Sequence, residues 1–347
     1  MLMDEIFSRK DDHIHINRTK DVDSALSNGF EKFAFEHQAL PELDLSAVNT
    51  GTRFLGKNLQ LPLMISSMTG GTREGDMINQ RLAEAAQQTG IAMGIGSQRG
   101  QIESGEYGQA QELRKIAPDV PLFANLGAVQ LNYGFKIDKV QQAIDMIEAD
   151  GLILHLNPLQ EALQPEGNSN FAGLARKIQQ VCEKIPVPVI VKEVGWGISV
   201  STAKQLAELG VAALDVAGAG GTSWSEVEKY RSASESRFRI ASHFRSWGIA
   251  TAEALQRVHQ AIPGLPLVAS GGMTQGMEIA KAVSLGASIA GIARPFLIAV
   301  SDSTAAAIAL VDEIRTELKI TMFAAGAPDI SALSRLKLSR RTPNYDE

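Results

Sequence analysis

Two short stretches of this 347-residue chain put reactive side chains where an apolar core would be expected. In HLNPLQE (155–161) an imidazole, two amides and a carboxylate follow directly on the apolar run GLIL. In PVIVKEVG (188–195) Lys192 interrupts a β-branched run. An unpartnered ammonium is costly to bury, so an inward Lys192 needs an anionic or electron-rich partner. A bound cofactor would serve, as would a carboxylate from another strand. Its neighbour Glu193 points to the opposite face of a strand and does not pair with it. A third stretch, ASGGM, sets Gly271 and Gly272 before the helical pattern GMEIAKAV. Backbone N–H groups there, with the helix dipole, suit an anion such as a phosphate. Glu161 is the best metal candidate, because Mg2+ commonly takes one or two carboxylates plus phosphates and waters. Arg9 and Lys10, in SRKDDHIHI, could reach over an anionic substrate.

The elements that must position these groups are legible as repeats. Eight apolar runs recur, at 61–68, 91–97, 121–127, 151–157, 188–195, 212–221, 265–272 and 287–294. The first four begin 30 residues apart, room for a strand, a loop and a crossover helix. Between them INQRLAEAAQQTG, VQQAIDMIEADG, STAKQLAELG and GMEIAKAVSLG carry the helical period, each ending at a glycine suited to a helix stop. Near-continuous apolar strands imply a parallel sheet covered on both faces. Eight such units predict an α/β fold of the (β/α)8 TIM barrel type, whose active face lies at the carboxyl ends of the strands. Those ends carry Ser67, Met68 and Thr69; Ser97, Gln98 and Arg99; Asn125; His155, Asn157, Gln160 and Glu161; Lys192; Gly220, Gly221 and Thr222; and Gly271 and Gly272.

Residues 1–60 read as an N-terminal arm and cap, 61–320 as the FMN-binding barrel and 321–347 as a C-terminal tail, whose last stretch, RLKLSRRTPNYDE, reads as a solvated, frayed terminus. The segment from Thr222 to Ile249, after the sixth strand, is too long for an ordinary loop, and its aromatic residues suggest a packed lid. A net charge of -6 gives no footprint for nucleic acid. One cysteine, Cys182, excludes an intramolecular disulfide, and its surroundings place it on a buried helix face. The charged N-terminus is unlike a signal peptide, and no apolar run is long enough to span a membrane. A cytoplasmic protein is expected. AGAGGTSW lacks the dinucleotide-binding spacing, and the six histidines show no zinc-binding HExxH pattern. A barrel with a phosphate pocket and an inward lysine points to a phosphorylated planar cofactor such as FMN.

Nine segments in order, SRKDDHI, ISSMTGGT, GIGSQRG, FANLGA, HLNPLQE, VIVKEVGWGIS, GAGGTSW, FRSWGI and ASGGM, resemble those of the type 2 isopentenyl-diphosphate isomerases. The resemblance runs from Arg9 to the eighth strand. It implies an FMN-dependent (β/α)8 barrel, assembled as a tetramer or octamer, that interconverts isopentenyl and dimethylallyl diphosphate. It further implies Mg2+ and reduced flavin, with NADPH or another reductant supplying the electrons. Carried over by motif, Ser67, Met68, Thr69, Ser97, Asn125, Lys192, Thr222, Gly271, Gly272, Met273, Ala293 and Arg294 would contact FMN. Arg9, Lys10, Ser97, Gln98, Arg99, His155, Asn157 and Gln160 would hold substrate, and Glu161 would bind Mg2+. The catalytic set would be Lys192, Gln160, His155 and Glu228, the last as a proton-relay acid.

Moving a double bond adds one proton and removes another with no net electron transfer, so a flavin would act there as an acid and base. Three other functions fit part of the pattern. They are an FMN-barrel oxidoreductase, a Schiff-base aldolase using Lys192, and a flavin-binding module without catalysis.

Overall fold

A computed structural model describes residues 2–68, 70, 72–105 and 110–341, with side chains from residue 10 onward. Eight parallel strands close a barrel: β1 (Leu63–Ile65), β2 (Ala92–Gly94), β3 (Leu122–Gly127), β4 (Gly151–His155), β5 (Val189–Lys192), β6 (Ala213–Asp215), β7 (Leu267–Ser270) and β8 (Ile289–Ile292). Each pairs with its sequence neighbour, and β8 returns to β1 through Ala290 and Leu63. All eight lie within the apolar runs, and the insertion follows β6 as expected.

The period of two along each strand sorts the barrel into layers. Outward residues such as Ile65, Leu154 and Val191 pack under the helices. Inward, Met64, Ala92, Phe123, Ile153, Ile190, Ala213, Val268 and Ile289 fill the interior, one from each strand. A hairpin, Thr52–Phe54 with Lys57–Leu59, plugs the amino end of the barrel; Phe54 meets Phe123 edge-to-face at 6.2 Å between ring centres. Residues 2–60 therefore supply both a plug at one end and, through the helix Leu2–Thr19, a cover at the other.

Three expectations are corrected. Gly151 opens β4 rather than stopping a helix, and a Cβ there would lie 2.9 Å from the Phe123 ring. The barrel–tail boundary at 320 falls inside a helix: Thr304–Ala324 runs across it, and Met322 and Leu333 are fully buried. Ser339–Arg340 then pairs antiparallel with Phe33–Ala34. The insertion packs as a lid only in its first helix, Trp224–Arg231, where Trp224 and Val227 meet Ile16 and Val22 of the arm. Beyond that helix Phe238 and Trp247 are exposed, at 42% and 60%. Cys182 lies on the helix Leu174–Lys184, and burial pushes its thiol up to about 11. Among the described residues no helix is long and apolar enough to cross a membrane.

Candidate active site

A cavity of about 560 Å³ opens at the carboxyl ends of the strands. Its floor follows from the barrel's own periodicity. Two residues beyond the apolar interior layer every strand points inward again, at Ser66, Gly94, Asn125, His155, Lys192, Asp215, Ser270 and Gly291. Apolar side chains give way to polar or absent ones at that level.

The floor is hydrogen-bonded from within. The Asn125 side-chain amide donates to the Ile95 carbonyl at 3.0 Å, which turns its Oδ1 toward His155 Nδ1 at 2.8 Å. His155 therefore carries its proton on Nδ1. Burial, with Lys192 and Lys10 adding, pushes the ring down to about 4, so it is neutral near pH 7. Lys192 is 7% exposed and donates to the Glu193 carbonyl at 2.8 Å, with Asp215 Oδ2 at 3.7 Å from Nζ. The carboxylate partner from another strand is thus present, and the ammonium still lines the cavity. Glu193 faces away, as the strand alternation requires. Its carboxylate accepts the backbone N–H groups of Val194, Gly195, Trp196 and Gly197. Burial pushes that carboxyl up to about 7 against the opposing pull of those amides.

One wall is the HLNPLQE turn. Asn157 donates to Gln160 Oε1 at 3.2 Å and to Glu161 Oε1 at 3.0 Å, and Glu161 Oε2 accepts the Asn168 N–H at 2.5 Å. Gln160 passes the chain on, donating to Glu228 Oε1 at 3.1 Å. Glu228 also accepts from Gln164, His13 and Arg231. Burial alone would raise its carboxyl, but His13, Arg231 and Gln160 hold it below the usual carboxylate range. It is an acceptor here, not a ready acid.

The opposite wall is backbone. Gly271 and Gly272 adopt φ of +112° and +74°, and a Cβ on them would lie 2.0 Å from the Gly218 carbonyl oxygen and 2.2 Å from that of Gly220. Only glycine allows the two loops this approach. With the helix beginning at Arg294 they fit a phosphate cradle of the kind barrels frequently carry after the seventh and eighth strands. Ser66 and Ser67 line the cavity with buried hydroxyls that have no hydrogen-bond partner among the described residues. Buried polar groups normally find partners, so cradle and hydroxyls together fit a phosphorylated, heteroatom-rich cofactor such as FMN.

The structure brings most of the predicted residues together. Lys10, Ser67, Met68, Ser97, Arg99, Asn125, His155, Asn157, Gln160, Glu161, Lys192, Thr222, Gly271, Gly272, Met273, Ala293 and Arg294 all line the cavity. Lys10 reaches in from the N-terminal helix and donates to the Ser97 carbonyl at 3.0 Å. Glu228 stands behind Gln160 rather than on the wall. Gln98 is a correction: it is fully buried, its amide spent on the Asn125 N–H and the Ala143 carbonyl, so it braces the floor from outside. The Arg294 guanidinium is turned to the arm, toward Asp23 Oδ1 and the Asn17 carbonyl. Thr69 and the Arg9 side chain lie outside the described residues. Sequence reasoning missed Ser66, Asp215 and Ser270, which counting by two along each strand would have found, and His13, for which no local signal exists. For a metal, no group of three His, Cys, Asp or Glu side chains is suitably arranged among the described residues. Glu161 fits a cation held jointly with a substrate's phosphates and water.

Comparison with known proteins gives the same class and then narrows it. Residues 155–340 match the family model of FMN-dependent dehydrogenases. A mandelate oxidase variant with benzaldehyde superposes with a TM-score of 0.68 at 18% identity, covering 97% of this chain and 96% of that one. A Pediococcus acidilactici structure described as a putative lactate oxidase gives 0.68 at 16%, covering 98% and 94%. Fold and site thus define an FMN-type (β/α)8 barrel. The isopentenyl-diphosphate delta-isomerase of Nostoc sp. is 50% identical over 94% of this chain and 93% of its own, and that of Rickettsia peacockii 49% over 95% and 96%. The chain belongs to the isopentenyl-diphosphate delta-isomerase family.

Proposed function

We propose that this enzyme interconverts isopentenyl and dimethylallyl diphosphate, using bound reduced FMN as acid and base and Mg2+ on the diphosphate. The observation that carries the reading is the convergence, in one cavity, of a glycine phosphate cradle, an inward lysine and a wall of amide, imidazole and carboxylate groups. Reduced FMN, when bound, would supply a proton-exchanging ring nitrogen and an electron-rich face that stabilises positive charge on the alkene.

The remaining work falls to side chains. Lys192 places a positive charge at the floor, which favours the anionic form of whatever lies against it. Lys10 and Arg99 stand at the mouth as anion partners, and Glu161 contributes one oxygen ligand to a cation bridging to the diphosphate. Binding energy from that diphosphate is remote from the reacting carbons and can be used to align the alkene. Gln160 does not titrate usefully, so it orients the substrate and links it to Glu228, an ionised carboxylate able to take up a proton. Neutral His155, with Nδ1–H committed to Asn125, offers Nε2 as an acceptor; contact with a phosphate oxygen there requires proton uptake.

The physiological assembly proposed is a cytoplasmic homo-oligomer, a tetramer or octamer, with NADPH or another donor reducing the flavin and no nucleic-acid partner. The test is anaerobic conversion of isopentenyl diphosphate with Mg2+, comparing oxidised with reduced FMN. Product with reduced flavin alone is expected. No conversion by protein holding reduced FMN and Mg2+ would overturn the isomerase reading and favour an oxidoreductase.

A further inference from the structure

Asp215 is the one acidic member of the inward ring at the cavity floor, and it is fully buried. It is the direct cross-strand partner of Lys192. Its Oδ1 accepts the Ser270 hydroxyl at 2.7 Å and the Ala217 N–H at 3.2 Å. Ala217 has φ +36°, the left-handed region that strains a residue with a Cβ, and it lines the cavity, as Ser270 does. The second oxygen, Oδ2, has no hydrogen-bond partner among the described residues and lies 3.7 Å from Lys192 Nζ. One carboxylate thus bears on three cavity-lining groups, two by hydrogen bonds and the third by charge.

Either ion of this pair would be costly to bury alone, so each accounts for the other. The separation exceeds a hydrogen bond. One of the ammonium's three N–H groups is committed to the Glu193 carbonyl, leaving donors for a cofactor acceptor.

We propose that Asp215 is a positioning residue for the cofactor: the buried counter-ion that holds the Lys192 ammonium aimed into the cavity, and that sets the net charge the floor presents to a bound flavin. This rests on the flavin reading of the cavity. Because the carboxylate offsets part of the ammonium's field, removing its charge makes the floor more positive and favours the reduced, anionic flavin.

The experiment measures the midpoint potential of FMN bound to wild type, Asp215→Asn, Ser270→Ala and the double variant Asp215→Asn/Lys192→Met. Asp215→Asn keeps an oxygen for Ser270 and Ala217 while removing the charge. Its potential is expected to move positive, by about tenfold in the ratio of affinities for reduced and oxidised FMN, or ~30 mV for a two-electron couple. Ser270→Ala, which loses a hydrogen bond but no charge, should stay at the wild-type value. An unchanged potential in Asp215→Asn would overturn the proposal and leave the carboxylate a structural acceptor. If Asp215→Asn folds too poorly to hold FMN, the double variant, with neither charge, should recover cofactor binding. Equal failure of both would also overturn it. Wild type unable to bind FMN would instead sink the flavin reading itself.

Discussion

The floor and the rim of the cavity are built from the same kinds of side chain but held in different ways. Floor residues are carried on strand ends, and Asn125, Lys192, Asp215 and Ser270 are all buried, their partners supplied largely by adjacent strands. Rim residues come from the N-terminal helix, the HLNPLQE turn and the insertion. They are joined by long side chains, among them Arg231, which reaches both Glu228 and Glu166. The floor is a consequence of barrel geometry; the rim is an agreement between segments far apart in sequence. In the proposed function, preorganised charge at the floor would act on the reacting groups, whereas the rim would capture the substrate.

Breaking the floor should therefore cost turnover. Lys192→Ala is expected to lower kcat by at least ~100-fold, the scale of losing one preorganised electrostatic group, with FMN still detectable by absorbance. An unchanged kcat would remove the distinction. At the rim, Lys10→Ala should raise KM about tenfold and kcat little, since a hydrogen bond to a charged group is worth roughly 1.5 to 3 kcal/mol. Steady-state kinetics separate the two, and an effect confined to kcat would count against a capture role.

An effect on stability follows from His155. Its folded pKa is lowered to about 4, while the unfolded chain titrates near the ordinary ~6.5. Below ~6.5 the unfolded state binds the proton first, so stability falls as pH drops from there toward 4, by up to ~1.4 kcal/mol per pH unit. Urea unfolding of the apoprotein at pH 7 and pH 5 should show the loss, and His155→Gln should flatten it; equal slopes in both proteins would place the proton elsewhere. Smallest of all, Trp247→Ala on the exposed insertion should change stability within about 0.5 kcal/mol. A larger loss of thermal stability would mean that this surface is covered.

The same contrast decides what the sequence disclosed. Barrel strands announce themselves as apolar runs, and a polar residue at the end of one is conspicuous, as His155 and Lys192 were. Asp215 was equally accessible to the period of two, but ALDVAGAGG drew attention to its glycines. Gln98 shows the limit of reading strand ends as a list, because beyond the last residue of β2 the chain turns and its side chain faces the helix layer. His13 and Glu228 are 215 residues apart, and nothing local in either segment states that they meet. The arm's helical state was also hidden, since SRKDDHIHI lacks a clear apolar face. The terminus RLKLSRRTPNYDE is mostly polar, and nothing local in it states that Ser339–Arg340 pairs with Phe33–Ala34.

The strand pairing of Phe33–Ala34 with Ser339–Arg340 bears on how the molecule assembles in time. Ser339 Oγ donates to the Ala34 carbonyl across 305 residues, and β1 waits for β8 to close the barrel. Contacts this distant in sequence form slowly, because closure of the intervening chain must precede them. Phe33–Ala34 is synthesised some 305 residues before its partner, so this pairing forms only once Ser339–Arg340 has been made.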